Sequence, residues 1–454
     1  MECLLVSFLF CLVAQILHAN VSDDEYLWST DEGNSHNTFH IIPSIAANYS
    51  GKTWQYEYNS SSQDLTNLGI SGGVNGDVYF FLSETRYHAV DFIICLTTNG
   101  VIRWKLYIES VADMIPVGAS NIVSDRNGTL YYSVSWTGNE EYTAKICRIT
   151  YAQTDHPYQE CMTNYELYMD INSPLAINEK FNLLITAVVD DTFESVPAAM
   201  NKTTFEILWI NRNYFGAGMN GHYKIDSKTG HMYWIGGDDY LLKFNEKGQK
   251  LFDGDSHSGG GRQFVLDNDQ QIIVRSWQNM SDIHWPIVVS SWNVSKQFQL
   301  RWNWYAPKSI SENDAITQPI MDEKGITYLS SMPLIFALST TGKTLWSTKL
   351  ATNEEMKNFE LISWCLSMNS HTRILYVVAG SPLFHKGDAV YFITAVHMDT
   401  GKVLKRININ HGIAKVTPSC PILIGNDMFY VFWLTGQYPD LVPLKLGGIP
   451  QVKP

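Results

Sequence analysis

Asp322-Glu-Lys-Gly325-Ile-Thr-Tyr328 and, a short way on, Thr341-Gly342-Lys-Thr-Leu-Trp346 are two turn phrases that recur along this 454-residue chain. The first returns as Asp125-Arg-Asn-Gly128-Thr-Leu-Tyr131 and, more loosely, as Asn75-Gly76-Asp77-Val78-Tyr79 and Asp226-Ser-Lys-Thr-Gly230-His-Met-Tyr233. The second returns as Thr98-Asn99-Gly100-Val-Ile-Arg-Trp104, with degenerate copies at Asn245-Glu-Lys-Gly248-Gln-Lys-Leu-Phe252 and Thr400-Gly401-Lys-Val-Leu-Lys405. In each phrase the glycine suits a tight turn, and the flanking apolar, β-branched and aromatic residues alternate as half-buried strands do. A unit of hairpins repeating about every 50 residues is the signature of a ring of sheets.

Aligning the first strands of the units on their apolar cores gives starts at Val78, Leu130, Leu183, Met232, Ile272, Ile326, Leu375 and Met428. A small sheet with two apolar faces cannot cover them alone, so neighbouring sheets must stack and the ring must close. The pattern predicts an all-β, eight-bladed β-propeller, with seven blades as the alternative. The last unit has room only for Met428–Leu434 and Leu441–Leu446, and Lys52-Thr-Trp-Gln-Tyr-Glu-Tyr58 lies ahead of the first unit. Closure by strand exchange between the two chain ends is therefore expected. Helical signal is confined to a turn or two within Asn353–Leu366, and 13% aromatic residues suit packed sheet faces.

The best-preserved unit adds Thr317-Gln-Pro319 before the first turn and Phe336-Ala-Leu-Ser339 before the second, and the chain opens with Trp28-Ser-Thr-Asp-Glu-Gly33-Asn34. In this order the phrases resemble the repeats of the quinoprotein-like (PQQ-like repeat) β-propellers, a family holding pyrroloquinoline-quinone dehydrogenases and many non-enzymatic relatives. The family's dehydrogenases clamp their cofactor against a disulfide of adjacent cysteines, beside a bound calcium. This chain has no Cys-Cys pair and no Cys-x-x-Cys-His segment. The resemblance implies the fold and points to the non-enzymatic members, with no quinone cofactor.

Leu4–Leu17 is an apolar run too short to span a bilayer and ends in Leu17-His-Ala19, the pattern of a cleaved leader. We read residues 1–19 as a signal peptide, 20–50 as an N-terminal arm and 51–454 as one propeller domain, secreted and without a membrane span. Acceptor sequons at Asn48, Asn59, Asn127, Asn201, Asn279 and Asn293 fit a secreted glycoprotein. Of the cysteines beyond the leader, Cys147 and Cys161 flank a loop between successive strands of one unit and are expected to be bridged. Cys365 and Cys420 occupy similar places in consecutive units and can cross-link neighbours or stay as buried thiols, while Cys95 reads as an inert core thiol. A net charge of −13 without a basic face excludes nucleic acid as partner.

Propellers take ligands at one mouth of the central channel. The residues ahead of each unit's first turn are Ser71, Ser120, Ser173, His222, Arg262, Gln318, Trp364 and Ser419. Four of them, His222, Arg262, Gln318 and Trp364, form an arc of larger groups from consecutive units: a base or nucleophile, an anion clamp, an amide and a stacking surface. The loop Phe252-Asp253-Gly-Asp255-Ser-His257-Ser-Gly259 offers Asp253 and Asp255 to a calcium ion, though His257 stands where a calcium loop carries an oxygen ligand. The leading expectation is a binding scaffold for a protein or glycan partner. The alternatives are an extracellular enzyme at the channel mouth, a carbohydrate hydrolase or lyase or a sulfotransferase using His222, and, last, a quinone-dependent oxidoreductase.

Overall fold

A computed structural model describes residues 54–60, 70–73, 76–82, 90–97, 100–109, 111–138, 141–164, 168–169, 175–189, 195–212, 222–226, 228–235, 241–253, 264–267, 272–278, 287–296, 299–307, 317–359, 361–370, 372–381, 390–408, 416–418, 422–424, 427–434 and 442–450. The segments expected to be leader and arm, 1–19 and 20–50, lie outside them, as do Asn48, Arg262, Asp255, Asn279 and Cys420.

The described strands assemble into eight antiparallel sheets, seven of them essentially meanders of four strands in chain order. Sheet 1 runs Ile70–Gly72, Val78–Leu82, Phe92–Leu96, Ile102–Tyr107. Sheet 2 has a first strand in two pieces, Ile115–Ala119 and Val123–Ser124, then Leu130–Gly138, Glu141–Thr150 and Tyr158–Asn164. Sheet 3 likewise has Tyr168–Met169 and Ala176–Asn178, then Leu183–Val189, Ser195–Asn201 and Ile207–Ile210. Sheet 4 comprises His222–Ile225, Met232–Ile235, Leu241–Phe244 and Lys250–Asp253. Sheet 5 comprises Phe264–Asp267, Ile272–Gln278, Ile287–Asn293 and Gln299–Tyr305. Sheet 6 is Ile320–Met321, Thr327–Ser331, Leu334–Leu338 and Thr344–Lys349, and sheet 7 is Ile362–Asn369, Ile374–Gly380, Tyr391–His397 and Val403–Asn408. Sheet 8 holds Val416–Pro418 and Ile422–Ile424, then Asp427–Leu434 and Val442–Pro450, and its outermost strand is Trp54–Ser60 from the other end of the chain. That strand is antiparallel to Val442–Pro450, with Trp54 opposite Gly448 and Ser60 opposite Val442.

One expectation needs correcting. The apolar runs at Val78, Leu130, Leu183, Met232 and Ile272 are the second strands of their sheets, not the first. Each is preceded by a strand that is no longer, or is broken into short pieces, and so carries no readable period. These first strands lie beside the first strands of the neighbouring sheets, from sheet 1 through to sheet 8 and from sheet 8 back to sheet 1, so they sit innermost. Burial follows this layering. Second strands such as Ile374–Gly380 are buried along their whole length because both faces are covered by adjacent sheets, whereas the fourth strand Thr344–Lys349 alternates between exposed and half-buried. The helical signal shrinks to α1, Asn353–Phe359, because Ile362–Asn369 joins sheet 7 as a strand. A capping box starts the helix: Glu355 N donates to Thr352 Oγ1, and Thr352 N to Glu355 Oε2 at 2.7 Å.

Both turn phrases lie at the same end of the meander, between first and second strands and between third and fourth. In the first phrase Asp322 Oδ1 accepts the amides of Lys324 and Ile326, and Gly325 turns back with φ 73°. Asp125 and Gly128 repeat the arrangement. The aspartate thus satisfies backbone donors that the turn would leave unpaired.

Candidate functional site

Three of the four channel residues read from sequence lie in or beside the innermost strands of sheets 4, 6 and 7. His222 opens the first strand of sheet 4, opposite Ile235. Trp364 sits in a bulge of the first strand of sheet 7, between the rungs made by Ser363 and Cys365. Gln318 lies just ahead of the first strand of sheet 6, is buried, and donates its amide to the Phe264 carbonyl of sheet 5 at 3.4 Å. Arg262 is outside the described residues, so the arc is located only in part.

Other polar groups near the innermost strands bind strand to strand or sheet to sheet. Ser120 Oγ accepts Ser133 N and Thr317 Oγ1 accepts Ser330 N, both at 2.8 Å. Asn121 joins sheet 2 to the chain entering sheet 3 through both its atoms: Leu175 N donates to Oδ1 at 2.6 Å and Nδ2 donates to the Leu175 carbonyl. Ser330 and Ser363 hydroxyls meet at 2.7 Å between sheets 6 and 7. Sequence reasoning passed over Lys224, two positions beyond His222. Its side chain is fully buried, with Nζ 5.6 Å from the Phe264 ring centroid in sheet 5.

The turn end carries a second set of groups. Lys202, from sheet 3, reaches Asp125 Oδ2 of sheet 2 at 3.0 Å and Glu179 at 2.6 Å, and all three are largely buried. Arg373, from sheet 7, pairs with Asp322 of sheet 6 at 3.1 Å and also with Glu323 and Asp399. Tyr328 donates its hydroxyl to the same Asp322 oxygen at 3.0 Å. Arg103 spans Asp77 in its own sheet and Asp155 in the next. Burial, followed by the Asp322 charge, pushes the Tyr328 phenol far up, and the Arg373 hydrogen bond holds the Asp399 carboxyl below its usual value. Each is an inter-sheet joint in which one cation is shared by two or three carboxylates.

Tryptophans make the remaining joints. Trp104, Trp209, Trp302 and Trp346 donate Nε1 to carbonyls of the following sheet at Ala152, Glu246, Thr340 and Met398, over 2.7–3.0 Å. The phrase Thr-Gly-x-x-x-Trp therefore offers its glycine turn to the preceding sheet and its indole to the next.

The expected bridge between Cys147 and Cys161 is present. Cys365 carries a free thiol, so it is not bridged to Cys420; its side chain is buried in an apolar cluster. Cys95 is also a buried free thiol. Asp253 ends the fourth strand of sheet 4, opposite Leu242, and among the described residues no group of metal-ligating side chains converges. Asn127 is exposed on its turn, while Asn201 and Asn293 are partly buried; Asn59 lies in the outermost strand of sheet 8.

No known family and no curated protein matches the chain. Solved structures do. The C-terminal WD40 domain of Sif2 is similar over 90% of this chain and 99% of its own, at 8% identity and a TM-score of 0.52. Saccharomyces cerevisiae Sqt1 aligns over 90% and 100%, at 10% identity and a TM-score of 0.46. At such identity a likeness speaks to fold alone. The first of these and the sheet arrangement together make the chain an all-β β-propeller. Among the described residues no helix is long and apolar enough to cross a membrane.

Proposed function

We propose that this chain is a secreted, glycosylated propeller of the quinoprotein-like kind, eight blades closed by Trp54–Ser60, that binds a protein or glycan partner without catalysis. The binding face is the one carrying the crossovers and the hairpins between second and third strands. One observation carries this reading: polar groups near the innermost strands, Ser120, Asn121, Thr317, Gln318 and Ser330, are engaged in hydrogen bonds that hold strands and sheets together. Groups so engaged serve the scaffold and not a reacting substrate. The cyclic succession of first strands and the pairing of Trp54–Ser60 support the blade count and the closure. The disulfide supports an oxidising compartment, and the exposure of Asn127 supports a glycan there.

A thermal-shift screen of the secreted protein against sulfated and acidic glycans, calcium and pyrroloquinoline quinone tests this, since a ligand that binds only the native state raises the midpoint. Stabilisation by a glycan, or by no small ligand, agrees with it. A calcium or quinone shift that disappears in the His222→Ala, Arg262→Ala double variant would transfer the function to a site at the channel. Loss of mass on treating the secreted chain with a peptide N-glycosidase checks the glycans.

A further inference from the structure

Sheet 2 fastens to its successor differently from sheets 1, 3, 5 and 6, which use an indole. In sheet 1 one rung reads Tyr79–Cys95–Trp104, and in sheet 6 Tyr328–Ala337–Trp346. The corresponding rung of sheet 2 is Tyr131–Arg148–Glu160, with no indole. Arg148 takes over the docking: Nη1 donates to the Thr203 carbonyl of sheet 3 at 2.6 Å, and its guanidinium lies 5.5 Å from the Phe205 ring. Glu160 holds it in place, accepting Nε at 2.9 Å. A guanidinium on a flexible stem has more freedom to lose than an indole, so the joint depends on that carboxylate being fixed.

Glu160 belongs to Tyr158–Asn164, an edge strand with a neighbour on one side only. The next rung along is Cys147 opposite Cys161, and the disulfide joins them. Cys147 is fully buried and Cys161 half-buried, so a reductant approaches from the Cys161 side. We propose that Cys147–Cys161 is a redox latch that keeps sheet 2 docked on sheet 3. A dithiol gives up two electrons and two protons to the bond and leaves as its own disulfide; Cys147 and Cys161 become thiols. The edge strand is then held by its ladder alone, Glu160 loosens, and Arg148 loses its grip on Thr203.

Hydrogen exchange of the full glycosylated chain, before and after reduction with dithiothreitol, tests the latch. Reduction should speed exchange at 158–164 on the order of a hundredfold, as expected for opening a loop of this length. Exchange at 203–206 should rise with it, and that at 327–349 in sheet 6 should not change. Unchanged protection at 158–164, or loss of protection across all sheets together, would overturn the proposal. The variant Glu160→Gln leaves the disulfide intact and should raise exchange at 203–206 alone; no rise there breaks the link between strand and joint.

Discussion

The indole of Trp302 lies so close over Gly342 that a Cβ placed there would stand 2.6 Å from its Cδ2. Gly342 also has φ +76°, so the turn excludes side chains twice, by backbone conformation and by the neighbour's ring. Trp209 meets Gly248 and Trp346 meets Gly401 in the same way, each across a boundary between sheets. The repeat phrase is thus the visible half of two joints, and its glycine is kept by the preceding sheet's tryptophan as much as by its own turn.

Gly342→Ala should cost about 2 to 4 kcal/mol, adding the strain of positive φ to an overpacked contact. Thermal unfolding of the variant checks the loss. In a Trp302→Ala background the same substitution should cost only the part due to backbone strain. Equal costs in both backgrounds would mean that the ring contact exerts no constraint.

Removing the cation from the Asp125–Lys202–Glu179 joint leaves the buried Asp125 carboxylate and the part-buried Glu179 carboxylate without their shared counter-charge. Lys202→Met is expected to destabilise by roughly 3 to 5 kcal/mol, and adding Asp125→Asn should restore part of that. Denaturant midpoints of the two single variants and the double variant measure the coupling. Strictly additive effects would show that the ion pair makes no contribution beyond its parts.

What could be read from the sequence was what is local. Asp322 and Gly325 build their turn from atoms a few residues apart, and Cys147 and Cys161 are separated by 14 positions, so spacing alone exposed both. The joints that hold the sheets together were hidden because their partners are far apart in the chain: Lys202 and Asp125 by 77 positions, Arg373 and Asp322 by 51. That Arg148 does the docking of a tryptophan whose position Glu160 holds becomes visible only once register aligns Arg148 with Cys95 and Ala337. The first strands are hidden in the sequence because Ile320–Met321 or Ala176–Asn178 is too short to show alternation, whereas the buried second strands carry the readable apolar runs. Similar positions for Cys365 and Cys420 did not fix a bridge, since a place along a strand does not set which way a side chain faces.

His231 gives sheet 4 a dependence on acid. Its Nδ1 is buried without a hydrogen-bond partner, and burial, followed by the Lys243 charge, holds its pKa below 6.5. The unfolded chain therefore binds a proton that the folded chain resists. The neutral imidazole's contribution is complete above about pH 6.5 and is lost as the pH falls toward the folded value. The unfolding midpoint should fall between pH 7.5 and pH 5, and His231→Gln should fall less over the same range. Parallel pH profiles for the two proteins would remove His231 as a cause.

Cys95 carries the last expectation. Burial, followed by the charge of Asp77, pushes its thiol far above the ordinary cysteine value, so almost no thiolate exists at neutral pH. The thiolate is the reactive species, and Cys95 is closed off from solvent within sheet 1. In the native protein iodoacetamide should leave Cys95 unmodified over hours, and Cys365, also buried, should behave likewise. Both should alkylate within minutes once the chain is unfolded, as peptide mass spectrometry would register. Rapid native labelling at Cys95 would mean that sheet 1 opens far more often than its packing allows, and the ion pair of Asp77 with Arg103 beside it would then be the first place to look for the opening.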